Sequence, residues 1–285
     1  MSQSSEIQRE QYRQAKSIHG GFWGYWVAKA SIQLSRLWLP TAKLRLLLYR
    51  YFNYKYPPGI KEVEAELPLE EYPSLNALFT RGIKPEYRPI AQSPWLISPC
   101  DGIIQDLGTI EEKIVTLKNI QYSLSSLLPN IDENFEGWNY LIIFLTPLDC
   151  HRVFSPQDGA IAEICHVPGS RLLVHPPFQK PEFPVYTLNE RMIFEFDSDR
   201  DRCILVMVAG WGVGNITLPQ LSEFKFQGNS TSSQTLNPPM SVKRGEWFAT
   251  FELGSTVILL VPPHDRRKFV VSPNEKVQYG QAIFS

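Results

Sequence analysis

Short apolar runs separated by Gly, Pro and Asp-Gly turns fill the chain beyond Trp95, and this punctuation restricts the fold more than any other feature. The runs are rich in Val, Ile, Phe and Leu, which is typical of β-strands. Asp-Gly pairs favour tight turns, because glycine adopts positive φ angles and aspartate bonds to the local backbone. The pattern predicts strands at 102–107, 140–146, 160–167, 191–197, 203–210 and 256–261. It also predicts a mobile surface loop in the low-complexity stretch QGNSTSSQTLNPP, residues 227–239.

Residues 1–60 differ from the rest in both periodicity and charge. Apolar residues recur three and four positions apart, on one face of a helix: Trp23, Val27, Ala30, Leu34 and Leu37. A second periodic segment follows Pro40. The region holds nine Lys/Arg and two acids, a net charge of 9 − 2 = +7, whereas the other 225 residues carry 19 − 27 = −8.

A basic amphipathic helix that bears tryptophan suits a membrane surface, where the rings lie among the lipid headgroups. The alternative is a helical hairpin that packs its apolar face on the rest of the protein. No stretch reaches the roughly 18 uncharged apolar residues that are needed to span a bilayer. We therefore expect peripheral attachment to a membrane, weakened by salt because part of it is electrostatic.

These patterns together predict an α+β fold, with N-terminal amphipathic helices followed by a mainly β two-layer sandwich. The expected division is a membrane-associating helical region, 1–60, and a β-rich domain, 61–285. The first 16 residues lack the apolar core of a secretion signal, and the four cysteines show no CxxC spacing. Both observations predict free thiols in a reducing compartment, and hence the cytoplasmic face of the membrane.

Several kinds of site are not expected. The histidines at 19, 151, 166, 175 and 264 lack metal-ligand spacing, and the carboxylates form no recognisable cluster. A glycine-rich phosphate loop is also missing from the sequence. The acidic balance of the β-rich region disfavours nucleic acid. We therefore predict neither a metal nor a nucleic-acid partner.

Two stretches carry reactive or unusual residues. In TFELGSTVILL, Gly254 and Ser255 interrupt a run that otherwise predicts a buried strand. In LTPLDCHRVFSP, four polar or reactive residues follow an apolar strand, at a position suited to face a cleft: Asp149, Cys150, His151 and Arg152. Because neighbouring residues on a strand point to opposite faces, a thiol–imidazole pair between Cys150 and His151 is not expected.

An ordered set of blocks resembles the phosphatidylserine decarboxylase family, from about residue 70 to the C-terminus: SPCDGII, LTPLDCHRV, VPG, NERMIFEFD, VGNI and ELGSTV. The resemblance implies that the protein breaks its own Gly254–Ser255 bond and converts Ser255 into a pyruvoyl cofactor. It also implies that Asp101 takes part in this self-cleavage, and that His151 acts in decarboxylation or substrate positioning. The implied partners are a phospholipid substrate, a membrane surface and a second copy in a homodimer.

The sequence departs from the family pattern at two blocks. Family members usually read DYHRVH, with a second His as the base of the self-cleavage triad, whereas this chain reads DCHRVF and places Phe154 there. The block KGxxYS is altered to KNIQYS. Three functions therefore stay open: decarboxylation of phosphatidylserine to phosphatidylethanolamine, decarboxylation of another amine-bearing acid, or lipid or partner binding by an unprocessed sandwich without chemistry.

Overall fold

The computed structural model of the chain describes residues 13, 21–92, 94–198, 202–211, 215–221, 230–252 and 254–285. Within these ranges the α-helices are α1 (Gly21–Arg36), α2 (Ala42–Lys55), α3 (Leu75–Phe79), α4 (Leu124–Leu127) and α5 (Val185–Leu188). Short 3₁₀ helices lie at Glu62–Glu64, Leu69–Glu71, Pro85–Tyr87, Pro176–Phe178 and Pro219–Leu221.

Strands make up most of the remaining regular structure. The first eight are β1 (Leu96–Ile97), β2 (Gly102–Thr109), β3 (Lys113–Val115), β4 (Gln121–Ser123), β5 (Asn139–Leu145), β6 (Arg152–Phe154), β7 (Gly159–Val167) and β8 (Arg191–Asp197). The others are β9 (Cys203–Ala209), β10 (Ile216–Thr217), β11 (Ser232–Val242), β12 (Trp247–Phe251), β13 (Ser255–Val261), β14 (Lys276–Val277) and β15 (Ala282–Phe284).

An eight-stranded antiparallel sheet dominates the fold, in the order β11-β7-β8-β9-β13-β5-β2-β14. A three-stranded sheet, β10-β12-β6, packs against one of its faces. The main core lies between the two sheets, where Phe248 of β12 makes edge-to-face contacts with Phe194 and Phe196 of β8. The predicted α+β class with a β-sandwich is confirmed.

The central strands are buried on both faces, which explains their nearly continuous apolar runs. Every residue of β9 and β13 is buried, as are six of the seven residues of β5. Leu141, Leu205 and Leu259 face the main core, while their neighbours Ile142, Ile204 and Ile258 belong to a second core on the opposite face. All six predicted strands are confirmed, with ends shifted by no more than two residues.

The loop predicted at 227–239 is wrong from residue 232 onward, because β11 forms there at the edge of the large sheet. Residues 227–229 lie outside the described residues. The register with β7 shifts between Thr235 and Met240, and the two prolines lie within this irregularity. An edge strand pairs on one side only, so it needs fewer apolar side chains than a central strand, and it tolerates proline at a bulge. A polar sequence can therefore still form an edge strand.

The two N-terminal helices differ in how they contact the rest of the protein. In α2, Tyr49 is fully buried among Ile60, Leu69 and Leu78, and its hydroxyl donates to the Tyr72 carbonyl at 2.7 Å. In contrast, α1 exposes most of its described apolar side chains. Among the described residues, no helix has both the length and the apolar composition that crossing a bilayer requires. The division of the chain near residue 60 remains a prediction.

Candidate active site

The large sheet brings three chain segments together at one end of its strands. Ile103, Phe144 and Thr256 lie across from one another on β2, β5 and β13. Because β5 is antiparallel to both neighbours, the first residues of β2 and β13 lie beside the last residue of β5. Asp101 comes directly before β2, and Gly254 directly before β13. Neighbouring strands are about 4.8 Å apart, so the backbones at these two positions are separated by roughly 10 Å.

The Gly254–Ser255 bond lies where the chain passes from one sheet to the other. β12 ends at Phe251 in the three-stranded sheet, and β13 begins at Ser255 in the large sheet. A methyl group added to Gly254 would have no neighbour within 4 Å, whereas one added to Gly210 would lie 2.9 Å from the Gly254 carbonyl oxygen. The end of β9 therefore approaches this carbonyl closely because residue 210 has no side chain.

Ser255 combines complete burial with an unsatisfied hydroxyl. Its backbone pairs with Leu145 on one side and with Ala209 on the other. The Oγ atom has no hydrogen-bond partner among the described residues. Leaving a buried hydroxyl without a partner costs free energy, and such groups in folded proteins need an explanation, of which a chemical role is one.

His151 is also a fully buried polar side chain, and it lies directly before β6 of the three-stranded sheet. Its Nδ1 atom lies 3.0 Å from the Asp149 carbonyl oxygen, and its Nε2 atom has no hydrogen-bond partner among the described residues. A carbonyl only accepts, so Nδ1 of the neutral ring carries the proton and Nε2 keeps a lone pair. Burial, with a further contribution from the Arg81 charge, lowers the pKa of His151 to about 4. The ring is therefore a neutral proton acceptor at pH 7.

Arg81 holds the segment that carries His151. Its guanidinium group is buried and donates to the carbonyl oxygens of Leu148, at 2.6 Å, and Asp149, at 3.3 Å. Burial lowers the pKa of Arg81 from its usual value. Arg81 could not be predicted as a site residue, because the surrounding segment FTRGIK has no feature that distinguishes an internal arginine from a solvent-exposed one.

Asp101 is buried and bound on both of its oxygen atoms. Arg88 donates to it from Nη2 at 2.6 Å and from Nε at 3.0 Å, and the Tyr279 backbone N–H donates at 2.9 Å. Arg88 also pairs with Glu64 at 2.9 Å. The carboxylate makes no hydrogen bond to His151 or Ser255, although its charge favours the protonated form of His151. Arg88 could not be predicted as a partner of Asp101, because the two residues are 13 positions apart in the chain.

Phe154 stands where the family usually has histidine, and it contacts Tyr279, whose backbone N–H binds Asp101. Its ring stacks on that of Tyr279 with 3.7 Å between the ring centres, and its backbone N–H donates to the Pro99 carbonyl at 2.7 Å. Phe154 shares a small apolar cluster with Cys150 and Tyr279, whereas Val153 faces the main core. An apolar ring therefore occupies position 154 and packs on Tyr279 rather than offering a proton acceptor.

The described ranges contain no group of three His, Cys, Asp or Glu side chains that could hold a metal ion. The four cysteines are buried and form no disulfide with one another: Cys100, Cys150, Cys165 and Cys203. Burial raises the pKa of the Cys150 thiol to about 11, so the group is protonated at neutral pH. The three residues that the sequence predicts for the site, Ser255, His151 and Asp101, are buried as well.

Comparison with known proteins identifies the chain. The family model for phosphatidylserine decarboxylase matches residues 75–285. The phosphatidylserine decarboxylase proenzyme of Coxiella burnetii (strain Dugway 5J108-111) is 33% identical over 240 residues, which cover 79% of this chain and 83% of that protein. The proenzyme of Alkalilimnicola ehrlichii is 34% identical over 231 residues, 77% and 79% of the two chains, and that of Polaromonas sp. is 31% identical over 242 residues, 80% and 81%.

The family match includes Asp101, His151 and Ser255 and every strand of the described residues. The chain is an enzyme of the carbon–carbon lyase class, a decarboxylase. It belongs to the phosphatidylserine decarboxylase family.

Proposed function

We propose that the protein is a proenzyme that cleaves itself between Gly254 and Ser255 and then decarboxylates phosphatidylserine to phosphatidylethanolamine and carbon dioxide. The observation that carries this proposal is the Ser255 hydroxyl, which is buried and unpartnered directly after a glycine, in a chain of this family. A pyruvoyl group at position 255 supplies a carbonyl that binds the substrate amine and withdraws the electron pair left by carbon dioxide.

Self-cleavage begins when the Ser255 Oγ attacks the Gly254 carbonyl carbon and the peptide nitrogen leaves, which converts the amide into an ester. Loss of the Ser255 Cα proton then expels Gly254 as a carboxylate and leaves a double bond between Cα and Cβ of residue 255. Water then adds at Cα of residue 255, the nitrogen of this residue leaves as ammonia, and a ketone remains at Cα. The lack of a side chain on Gly254 supports the first step, because no Cβ atom crowds the carbonyl carbon that is attacked.

His151 is the proposed proton acceptor, and Asp101 and Arg81 are positioning residues. The Nε2 lone pair of His151 is available at neutral pH because burial keeps the ring uncharged. Arg81 fixes the carbonyl that orients the imidazole, and the negative charge of Asp101 stabilises the imidazolium that forms on proton transfer. In the decarboxylation that follows, the same imidazole can return a proton to the substrate carbon.

Phe154 supports the alternative of an unprocessed, non-catalytic sandwich, and one substitution separates the two functions. The low pKa of His151 makes it a weaker base than an ordinary histidine, so a chain that depends on it in place of the usual triad histidine should cleave slowly rather than not at all. We expect Phe154→His to accelerate cleavage by about tenfold or more. Phe154→Leu, which also removes the stack on Tyr279 but adds no base, serves as the control.

The measurement is a time course of chain cleavage on a denaturing gel for the wild type and the two variants. Cleavage that is no faster in Phe154→His than in Phe154→Leu would show that position 154 holds no base in this protein. An uncleaved chain in all three would favour the non-catalytic sandwich.

Attachment to the membrane surface at the cytoplasmic face is proposed to depend on the exposed aromatic residues of the N-terminal helices. Trp23 and Trp38 are 76% and 67% exposed, and Trp26 is 50% exposed. Basic side chains lie over two of these rings, Lys29 over Trp26 and Arg45 over Trp38, each at 5.8 Å. This combination suits the boundary between lipid headgroups and acyl chains. The homodimer remains a prediction from the family resemblance.

We expect replacement of Trp23, Trp26 and Trp38 by alanine to weaken binding to anionic vesicles by at least about tenfold, since burying one large apolar side chain contributes about 1.5–3 kcal/mol. Vesicle co-sedimentation at two salt concentrations measures both the aromatic and the electrostatic part. Val270→Ala, at an exposed apolar position of the β-rich domain, is the control. Undiminished binding by the triple variant would contradict the assignment of this surface.

A further inference from the structure

The pattern SPxDG occurs twice in the sequence, as SPCDG at 98–102 and as SPQDG at 155–159. Both copies form the same turn. The hydroxyl groups of Ser98 and Ser155 each donate to the backbone carbonyl two residues further on, at 2.7 Å in both cases. The glycine of each copy begins a strand of the large sheet, β2 after the first turn and β7 after the second. The two turns are therefore structural equivalents.

Each SPxDG turn packs against a second turn, whose central glycine has a positive φ angle. Gly280, with a φ angle of 88°, donates its N–H to the Ser98 carbonyl at 3.1 Å. Gly245, with a φ angle of 78°, donates its N–H to the Ser155 carbonyl at 2.9 Å. Each SPxDG turn and its glycine turn thus form one unit, and the two units have the same internal hydrogen bonds.

The two units also exchange equivalent hydrogen bonds with each other. The Ile97 N–H, before the first SPxDG turn, donates to the Pro156 carbonyl of the second turn at 3.0 Å. The Phe154 N–H, before the second turn, donates to the Pro99 carbonyl of the first turn at 2.7 Å. This reciprocity relates the two units by an approximate twofold axis.

The internal repeat makes Asp158 a reference for Asp101, since the two residues hold equivalent positions. In each unit the aspartate Oδ1 accepts a backbone N–H from the residue before the central glycine, Tyr279 at 2.9 Å for Asp101 and Arg244 at 3.0 Å for Asp158. Asp158 is exposed and forms no ion pair with any described residue. The turn and its aspartate–backbone bond therefore form without a cationic partner for the aspartate.

Asp101 has a buried cationic partner in addition to this shared bond. Arg88 donates to Asp101 from Nη2 at 2.6 Å and from Nε at 3.0 Å, and its Nη1 donates to the buried Glu64 at 2.9 Å. Taking such charges out of water is costly, so a buried ion pair is weak evidence for stabilisation. Because the equivalent turn at Asp158 forms without an arginine, the turn itself does not explain Arg88.

One guanidinium group between two carboxylates leaves a net charge of one negative unit. Burial would raise the pKa of Glu64, but hydrogen bonds from Lys61 and Arg88 outweigh burial and lower this pKa, so Glu64 is ionised at neutral pH. The Lys61 ammonium group is largely exposed, so water screens its charge. Glu64 therefore offsets the charge of Arg88, and the Asp101 charge continues to favour the protonated form of His151.

We propose that Arg88 is a positioning residue for self-cleavage and that Glu64 supports it. Arg88 holds the Asp101 carboxylate as an anion in a fixed orientation while His151 takes up the proton of the Ser255 hydroxyl. This inference rests on the proposed function, because it assigns a role in the same proton transfer. Arg88 acts through Asp101 and is not itself a catalytic residue.

The test is the rate of self-cleavage between pH 5 and pH 8, measured on denaturing gels with the full-length wild type and its variants. We expect Arg88→Gln to slow cleavage at pH 7 by about tenfold or more, because charge-assisted hydrogen bonds are among the stronger polar contacts. On acidification its rate should also decline from a higher pH than in the wild type, since a carboxylate without a cationic neighbour takes up a proton more readily. Arg88→Lys keeps the charge and should restore the pH profile of the wild type. Asp158→Asn is the matched control and should cleave at the wild-type rate.

The groups around Asp101 make this pH profile interpretable. Asp101 interacts electrostatically with the side chains of Arg81, Cys100, Cys150, His151 and Tyr279. Burial raises the pKa of both thiols and of the phenol, so these groups stay neutral between pH 5 and pH 8. Arg81 stays charged, and the pKa of His151 is about 4. A decline that begins above pH 5 in Arg88→Gln therefore reports the Asp101 carboxylate.

Glu64→Gln provides a second, milder variant, because removing one partner of a buried pair is strongly destabilising. The glutamine amide oxygen still accepts from Arg88, but the charge that offsets Arg88 is lost, so we expect cleavage to slow by about threefold. Wild-type rates in both Arg88→Gln and Glu64→Gln would overturn the inference. A slower Arg88→Gln with an unchanged pH profile, or an equal loss in Asp158→Asn, would show a structural role only and would overturn it too. In these cases the wild type still cleaves and the proposed function stands, whereas an uncleaved wild-type chain would overturn both.

Discussion

The Ser255→Ala protein is expected to remain a single chain of 285 residues and to have no decarboxylase activity. Alanine removes the only atom of residue 255 that can attack the Gly254 carbonyl, so neither the ester nor the ketone can form. Because the Ser255 Oγ makes no hydrogen bond among the described residues, its removal leaves no partner unsatisfied. The variant should therefore fold at least as stably as the wild-type proenzyme, and loss of function should not reflect unfolding.

Thr256→Ser is the matched control for this variant. Thr256 is the next residue of β13, is equally buried and carries a hydroxyl, but it faces the opposite side of the sheet. We expect this variant to cleave at the same bond and to retain activity. Denaturing gels and release of carbon dioxide from phosphatidylserine measure the two properties. Cleavage or activity in Ser255→Ala would show that the nucleophile has been assigned to the wrong residue.

Replacing His151 with glutamine is expected to slow self-cleavage by about 10²–10⁴, the usual contribution of a general base. In the wild type, the pKa of about 4 keeps the imidazole unprotonated over the neutral range. The rate should therefore be independent of this group above about pH 5 and should fall as the pH approaches 4. His264→Gln, at a half-buried histidine beside Trp95, is the control.

The lowered pKa of His151 also predicts how the free energy of unfolding depends on pH. The pKa of His151 is lower in the folded protein than the ordinary value of 6.5, so the unfolded chain binds a proton first as the pH falls. The contribution of this group to the free energy of unfolding is complete above pH 6.5. It decreases as the pH falls from 6.5 to 4, by roughly 3 kcal/mol at most. Chemical denaturation at pH 7 and pH 4.5 measures this loss, which should be smaller in His151→Gln. Unchanged cleavage kinetics in His151→Gln would remove the residue from the mechanism.

The central strands of the large sheet were predictable because both of their faces are buried. The strands β5, β9 and β13 are apolar on both faces, so their sequences stand out without knowledge of the partners. In contrast, β11 pairs only at the sheet edge, and its polar side chains are indistinguishable from those of a loop. The interruption at Gly254 was visible in the sequence, but its position between two sheets depends on long-range pairing.

The candidate site was predictable in its residues and not in its contacts. The resemblance and the strand-end positions singled out Asp101, His151 and Ser255, whose roles remain proposals. The partners that set their properties are Arg88 and Arg81, which approach from 13 and 70 residues away in the chain. No local pattern marks such arginines, because their burial depends on carbonyl and carboxylate groups that only the folded chain brings near.

Intact mass of the purified wild-type protein under denaturing conditions tests the central claim most directly. We predict a cleaved fraction that grows with incubation and consists of residues 1–254 and 255–285, the smaller fragment lighter than its serine-initiated form by one ammonia. A chain that stays at its full mass throughout, or a fragment that begins with an unmodified Ser255, would contradict a pyruvoyl enzyme formed by self-cleavage.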